Sequence, residues 1–198
     1  MVRYLSRKMT NYIVSKSDTA DYDVIFYGYE LLFQELLVIL IALLLALVFD
    51  ILGLVVIAII SHDILRNFAG GPHAKYRAIC IMMSIIIIFG PALIVSLTGQ
   101  TLGAISLLTI GIVDIGFLSK YAPADTAEKP ISSRENRVRL RRYSIIIMAI
   151  YVLLGELLLN IAPSISTVLI MTPSFVCLFS HPIAYRLLGC AKYITKES

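Results

Sequence analysis

The stretch RNFAGGPHAKYRAIC, residues 66–80, decides how the chain is read. It is the only polar break in a long apolar half of the sequence. Gly70, Gly71 and Pro72 stop one helical pattern, and His73 and Cys80 follow, seven residues apart. A thiol attacks as its thiolate, which needs a base or a nearby positive charge to form. His73 is the base at hand, and Arg66, Lys75 and Arg77 supply charge. Two readings stand. One is a cysteine nucleophile at a membrane surface. The other is a plain loop between two membrane helices that contains a cysteine.

Composition places the chain in a membrane. Its 198 residues are 59% hydrophobic and 15% charged. Soluble domains average about 45–50% apolar and about 25% charged. The apolar excess lies in runs long enough to span a bilayer, so a soluble enzyme is excluded. The first 30 residues are polar and charged, and no cleavable leader is expected. Three cysteines, Cys80, Cys177 and Cys190, cannot all pair, and none has zinc-type spacing. No metal and no cofactor are expected. The pI near 9.0 comes from lysines and arginines beside the spans. That is a topology signal rather than a nucleic-acid one.

The predicted class is all-α: one membrane-embedded domain, residues 1–198, with six transmembrane helices and an N-terminal amphipathic interfacial helix. Residues 1–29 carry Arg3, Arg7, Lys8 and Lys16 among apolar residues at helical spacing, which suits a helix lying on a membrane surface. Spans are expected at about 31–49, 51–65, 78–98, 101–118, 143–161 and 164–188, the first matched to a hydrocarbon core of about 30 Å and the second short. Asp50 marks a tight turn after the first. Pro91 is expected to kink the third, and Pro173 and His181-Pro182 to break the sixth. Six spans put the N-terminus, the 66–77 segment, the 119–142 loop and the C-terminus on one side. All 17 lysines and arginines fall in those places. By the positive-inside rule both termini and any chemistry near Cys80 face the cytoplasm, where thiols stay reduced.

With that frame, GGPHAKYRAIC resembles the signature of the accessory gene regulator B family. A second block, Tyr121-Ala122-Pro123-Ala124-Asp125-Thr126 with Pro130-Ile131 after it, resembles the same family in the place after the fourth span. Tyr27-Gly28-Tyr29-Glu30 is a weaker echo. That family comprises membrane cysteine endopeptidases that mature the peptide precursors of Gram-positive quorum sensing. The resemblance implies Cys80 as nucleophile and His73 as its partner. It implies a small precursor with an amphipathic leader, an internal cysteine or serine, and an acidic tail. The product would be a cyclic thiolactone or lactone formed through an acyl-enzyme thioester. A homodimer is left open, and no nucleic acid is expected. The rival from another class is a non-enzymatic transporter or channel for a small peptide or ion, using Asp114 and Glu156 and leaving Cys80 idle.

Residue chemistry agrees with one difficulty. In a straight helix, positions seven apart are about 10.5 Å apart along the axis. His73 must therefore fold back from the loop, or the first turn must distort. Gly70 and Gly71 give the backbone freedom for that, and their bare N–H groups could receive an oxyanion. Asp63 is a candidate to orient His73, and Arg66 a nearby cation. Glu30, and Arg137, Arg139, Arg141 and Arg142 in the hydrophilic 119–142 loop, are candidate precursor contacts. Residues 120–142 hold seven basic and three acidic residues, a dock for an acidic tail or simply an anchor for topology. His62 and His181 are read as hydrogen-bonded or interfacial, and Cys177 as an inert buried thiol.

Overall fold

Apolar runs of 17 to 27 residues can satisfy their backbone in lipid only by coiling, and the chain does so throughout. The computed structural model describes residues 2–16, 21–71, 77–124, 131 and 133–187. The described residues form eight helices: α1 (Val2–Val14), α2 (Tyr22–Val48), α3 (Leu52–Ala69), α4 (Arg77–Thr98), α5 (Ala104–Tyr121), α6 (Arg134–Leu158), α7 (Pro163–Phe179) and α8 (Pro182–Leu187). Among the described residues there is no strand, only an isolated bridge between Gly70 and Ala124.

Helices stand at each of the six positions where spans are expected. Four of them, α2 to α5, are long and apolar enough to cross a membrane. The last, α7, is a shorter apolar helix of 17 residues. The second-last, α6, opens with an arginine-rich turn before its apolar part.

Several boundaries differ from the sequence reading, for local reasons. The N-terminal helix ends at Val14, and residues 22–30 belong to α2. Asp21 caps α2, its side chain accepting from the Asp23 and Val24 amides at 3.0 and 3.4 Å. The arginines of residues 134–142 are on a helix, not a loop. Ser133 caps α6 through the Asn136 amide at 3.4 Å, and Glu135 complements the positive end. α3 continues past residue 65 to Ala69. α4 and α7 run through Pro91 and Pro173 as continuous helices, so Pro173 does not break the sixth segment. Asp50 does make the tight link, at φ 55.

α3 and α7 form the centre. On one side, Val38, Ala42 and Ala46 of α2 and Ile88, Ala92 and Val95 of α4 pack with Val55 and Ala58 of α3. On the other, Leu107 and Leu118 of α5 and Met148 and Tyr151 of α6 pack with Leu65, Ile170 and Val176. Small residues let the backbones approach closely, as helices in lipid require. A side chain at Gly111 would strike Val152. Outward, Leu36, Leu40 and Leu44 of α2 are about half exposed, with Ile94, Leu97, Ile105 and Ile112 beyond them. So wide an apolar surface suits lipid and not water. α1 packs on α2 through buried Ser6 and Thr10, tied by Arg3 Nε to Glu30 Oε1 at 3.2 Å. Its Tyr4, Leu5, Met9 and Tyr12 are exposed.

Candidate functional site at the Arg66 end of the bundle

The break after α3 is built by two glycines and a distant segment. Gly70 caps α3 at φ 72, a conformation that disfavours any residue with a Cβ. A Cβ there would also collide with the Ala124 carbonyl. The Ala124 amide donates to Ala69 O at 2.8 Å, and the Gly71 amide donates to Ala124 O at 3.0 Å. The second block is held from behind by Arg141 of α6, whose Nε donates to Ala122 O at 2.7 Å. The two sequence blocks, some fifty residues apart, are thus stitched backbone to backbone.

Two cavities meet here. The smaller, about 40 Å³, is bordered by Cys80, Met83 and Ser84 of α4, His62 and Arg66 of α3, and Phe179 of α7. Cys80 is 8% exposed. The larger, about 470 Å³, opens between Leu31 and Glu35 of α2, Asp63 and Arg66 of α3, and Pro123 and Ala124 of the second block. Arg66, Gly70, Gly71 and Ser84 border both. A thiol wall, a guanidinium and an adjoining cleft of peptide-scale volume therefore share one end of the bundle.

The predicted site residues sort as follows. His73 lies outside the described residues, as do Pro72 and Lys75. Asp63 is in the site, but its hydrogen-bond partner is His62, at 2.7 Å from Nδ1 to Oδ1. The N–H groups of Gly70 and Gly71 are already donated, to Arg66 O at 2.9 Å and to Ala124 O, which leaves them closed to an oxyanion in this arrangement. Glu30 pairs with Arg3. Arg137 Nη2 donates to Ile131 O, and Arg139 Nη2 to Glu135 Oε1, each at 3.3 Å. Arg139 and Arg142, with Arg134, Val138 and Tyr143, line an open groove along α6. Arg141 turns inward instead, onto the second block.

The sequence reading made His62 hydrogen-bonded or interfacial; it is hydrogen-bonded, but it is 1% exposed and stands on the wall of Cys80's cavity, a place that reading did not give it. The signal was available: an ionisable pair, His62-Asp63, inside an apolar span marks a functional site by default. Glu35, His62 and Asp63 each bring a ligand-type atom within 4.8 Å of one another, a donor set that could also hold a cation. Tyr151 steadies this turn of α3, its hydroxyl donating to Ser61 O at 3.2 Å. His181 packs edge-on against Tyr121, with ring centroids 4.8 Å apart, and accepts from the Ile183 amide at 3.2 Å. Cys177 is fully buried in the apolar cluster.

No solved structure matches the chain. Sequence relatives do. AgrB-like protein 2 of Clostridium perfringens strain 13 is 31% identical over 164 residues, 79% of this chain and 77% of that protein. An AgrB-like protein of Clostridium perfringens strain SM101 is 29% identical over 158 residues, 76% and 74% of the two chains. Accessory gene regulator protein B of Staphylococcus aureus is 29% identical over 102 residues, 51% of this chain and 52% of that one. The family model described as accessory gene regulator B matches residues 6–180, which include both blocks and every wall of the two cavities. The chain belongs to the accessory gene regulator B family.

Proposed function

We propose that the chain is a membrane cysteine endopeptidase of a peptide quorum-sensing system in a Gram-positive bacterium. Cys80 is the nucleophile and His73 the base that takes its proton. The Cys80 thiolate attacks a carbonyl of a short precursor, the C–N bond breaks, and the departing tail amine receives the proton. The remaining thioester is then attacked by a cysteine or serine side chain of the same peptide. That closes a thiolactone or lactone and frees Cys80. Thioester exchange is nearly energy-neutral, so keeping water from the acyl-enzyme matters more than lowering its barrier.

One observation carries this reading. Cys80 borders a small cavity with Arg66, and that cavity adjoins the 470 Å³ cleft between the two sequence blocks. A cation near the thiol favours the thiolate, and the cleft has room for a peptide segment. Six spans with both termini and the cleft facing the cytoplasm agree with the placement of all 17 basic residues. The groove of Arg139 and Arg142 suits the acidic precursor tail.

The test is co-expression with a precursor peptide that carries an internal cysteine and an acidic tail, with mass analysis of the products. Cys80→Ser and Cys80→Ala should insert normally and bind precursor without cleaving it. Cleavage by Cys80→Ala would end the proposal. Topology is checked by labelling introduced thiols from outside. Those near Asp50, Gln100 and Pro163 should react, and one at Ala69 should not.

A further inference from the structure

His62 sits deep in the bundle with a carboxylate at its back. Its Nδ1 lies 2.7 Å from Asp63 Oδ1, and Glu35 of α2 brings a second carboxylate to the same group. With Asp63 Oδ1 as the acceptor of an Nδ1–H, the lone pair is left on Nε2. That is the arrangement of a base whose protonated form would be stabilised from behind. The cavity gives it a task. His62 and Cys80, from neighbouring helices, border the same space of about 40 Å³. Such a space holds only a few water-sized groups, so His62 and Cys80 border the same few.

We propose that His62, positioned by Asp63, is the base for ring closure. The proposal rests on the peptidase reading above. The two chemical steps take their protons from different places: the first from Cys80, the second from the precursor's own thiol or hydroxyl. As that side chain attacks the Cys80 thioester, its S–H or O–H bond breaks and the proton goes to His62 Nε2. The new bond to the acyl carbon forms, the carbon–Sγ bond to Cys80 breaks, and Cys80 leaves as thiolate. His62 then returns the proton to Cys80 or to water, and the resting enzyme is restored. Asp63 holds the tautomer and offsets the imidazolium charge.

The experiment is single-turnover reaction of the full chain in proteoliposomes with a synthetic precursor carrying a leader, one internal cysteine and an acidic tail. Quenched samples are weighed for Cys80 acyl-enzyme, linear product and cyclic product. His62→Gln should form acyl-enzyme at near the wild-type rate and close the ring about 10²–10⁴-fold more slowly, so that acyl-enzyme accumulates. Asp63→Asn should show the same imbalance to a smaller degree. Added imidazole should restore ring closure to His62→Ala, which loss of a merely structural residue would not allow. Ring closure at the wild-type rate in His62→Gln overturns the proposal. So does failure of acyl-enzyme formation with no rescue by imidazole. Inhibition of ring closure by EDTA in the wild type would instead assign Glu35, His62 and Asp63 to a metal. If the wild type forms no acyl-enzyme on Cys80, the peptidase reading itself falls, a distinct outcome.

Discussion

Cys80 and Cys177 are both nearly closed to solvent, at 8% and 0% exposure, yet their surroundings differ in kind. Cys177 belongs to a continuous apolar cluster with Leu65, Leu118, Met148 and Ile170. Cys80 borders a cavity with an imidazole and a guanidinium. A reacting thiol needs room for its substrate and a charged or basic neighbour, and the cavity beside Cys80 offers both. Burial alone does not separate a structural cysteine from a reactive one; the neighbours do. The largest expected effect tests this directly. Cys80→Ala should abolish precursor cleavage, and Cys177→Ala should leave the rate within about twofold, since Cys177 borders neither cavity and acts as a small buried apolar residue. In a Cys190→Ala background, iodoacetamide should alkylate Cys80 at least about tenfold faster than Cys177. Equal loss of cleavage in both variants, or equal labelling, would break the comparison.

The next effect concerns what holds the cavity beside Cys80. Gly70→Ala should place a methyl into the Ala124 carbonyl and strain the backbone at φ 72. The left-handed conformation alone costs roughly 1–2 kcal/mol for a residue with a Cβ, before any clash. Cleavage should fall by about tenfold to a hundredfold, on the scale of about 1.4 kcal/mol per factor of ten. The cluster that holds Cys177 also holds Ala69 and Ala122 beside this stitch, so thermal unfolding in detergent is followed alongside activity to separate damage at the site from loss of the fold. A wild-type rate in Gly70→Ala would mean that the junction of the two blocks does not shape the site.

These contrasts also show where sequence reasoning worked. The apolar runs located a helix at every expected span, and Asp50 gave its turn, because lipid leaves few alternatives to a helix. Helix starts were misjudged at Asp21 and Ser133. Charge made residues 22–30 and 134–142 look like surface chain, although a capping side chain stood before each. The pairing of Gly70 with Ala124 was not legible. It links segments with no shared periodicity, and only their resemblance to one family's blocks put them side by side. Cys80 was legible as a candidate from its residue type and setting. The His62–Asp63 contact was open to reading, since the two are adjacent, but Asp63 was offered as a group to orient His73, ten residues on.

Arg141 sharpens the comparison from the other end. It was grouped with Arg137, Arg139 and Arg142 as one basic dock, but its Nε donates to Ala122 O at 2.7 Å. Arg139 pairs at the surface with Glu135. A hydrogen bond to a charged group contributes about 1.5–3 kcal/mol, and exposed ion pairs about 0–1 kcal/mol. Arg141→Ala should therefore lower the cleavage rate about tenfold at every salt concentration. Arg139→Ala with Arg142→Ala should leave the saturated rate unchanged and weaken apparent precursor binding a few-fold. That loss should disappear at high salt, because screening acts beyond about 8 Å at physiological ionic strength. If Arg141→Ala also recovers with salt, its role is docking and not support of the second block.

The smallest expected effect falls on the polar group beside Cys177. Asp114 of α5 accepts a hydrogen bond from Ser174 Oγ at 2.5 Å and is 4% exposed, between α5 and α7. An acid inside the bundle invites reading as part of an ion or peptide pathway. Its geometry supports a simpler role, in which one buried oxygen joins two helices through a hydroxyl. Asn at this position keeps an oxygen that can accept from Ser174 and removes only the charge. Asp114→Asn should therefore cleave precursor within about twofold of wild type, with any stability change near the 1 kcal/mol typical of a single neutral hydrogen bond. A transporter working through Asp114 would respond differently, since moving an ion or a proton past this point needs the charge itself. The decisive measurement pairs precursor cleavage with uptake of the labelled product into proteoliposomes, in wild type and Asp114→Asn. Normal cleavage in both leaves the comparison standing. Loss of cleavage in Asp114→Asn, in protein that inserts and unfolds like the wild type, would place a working group in the half of the bundle around Cys177.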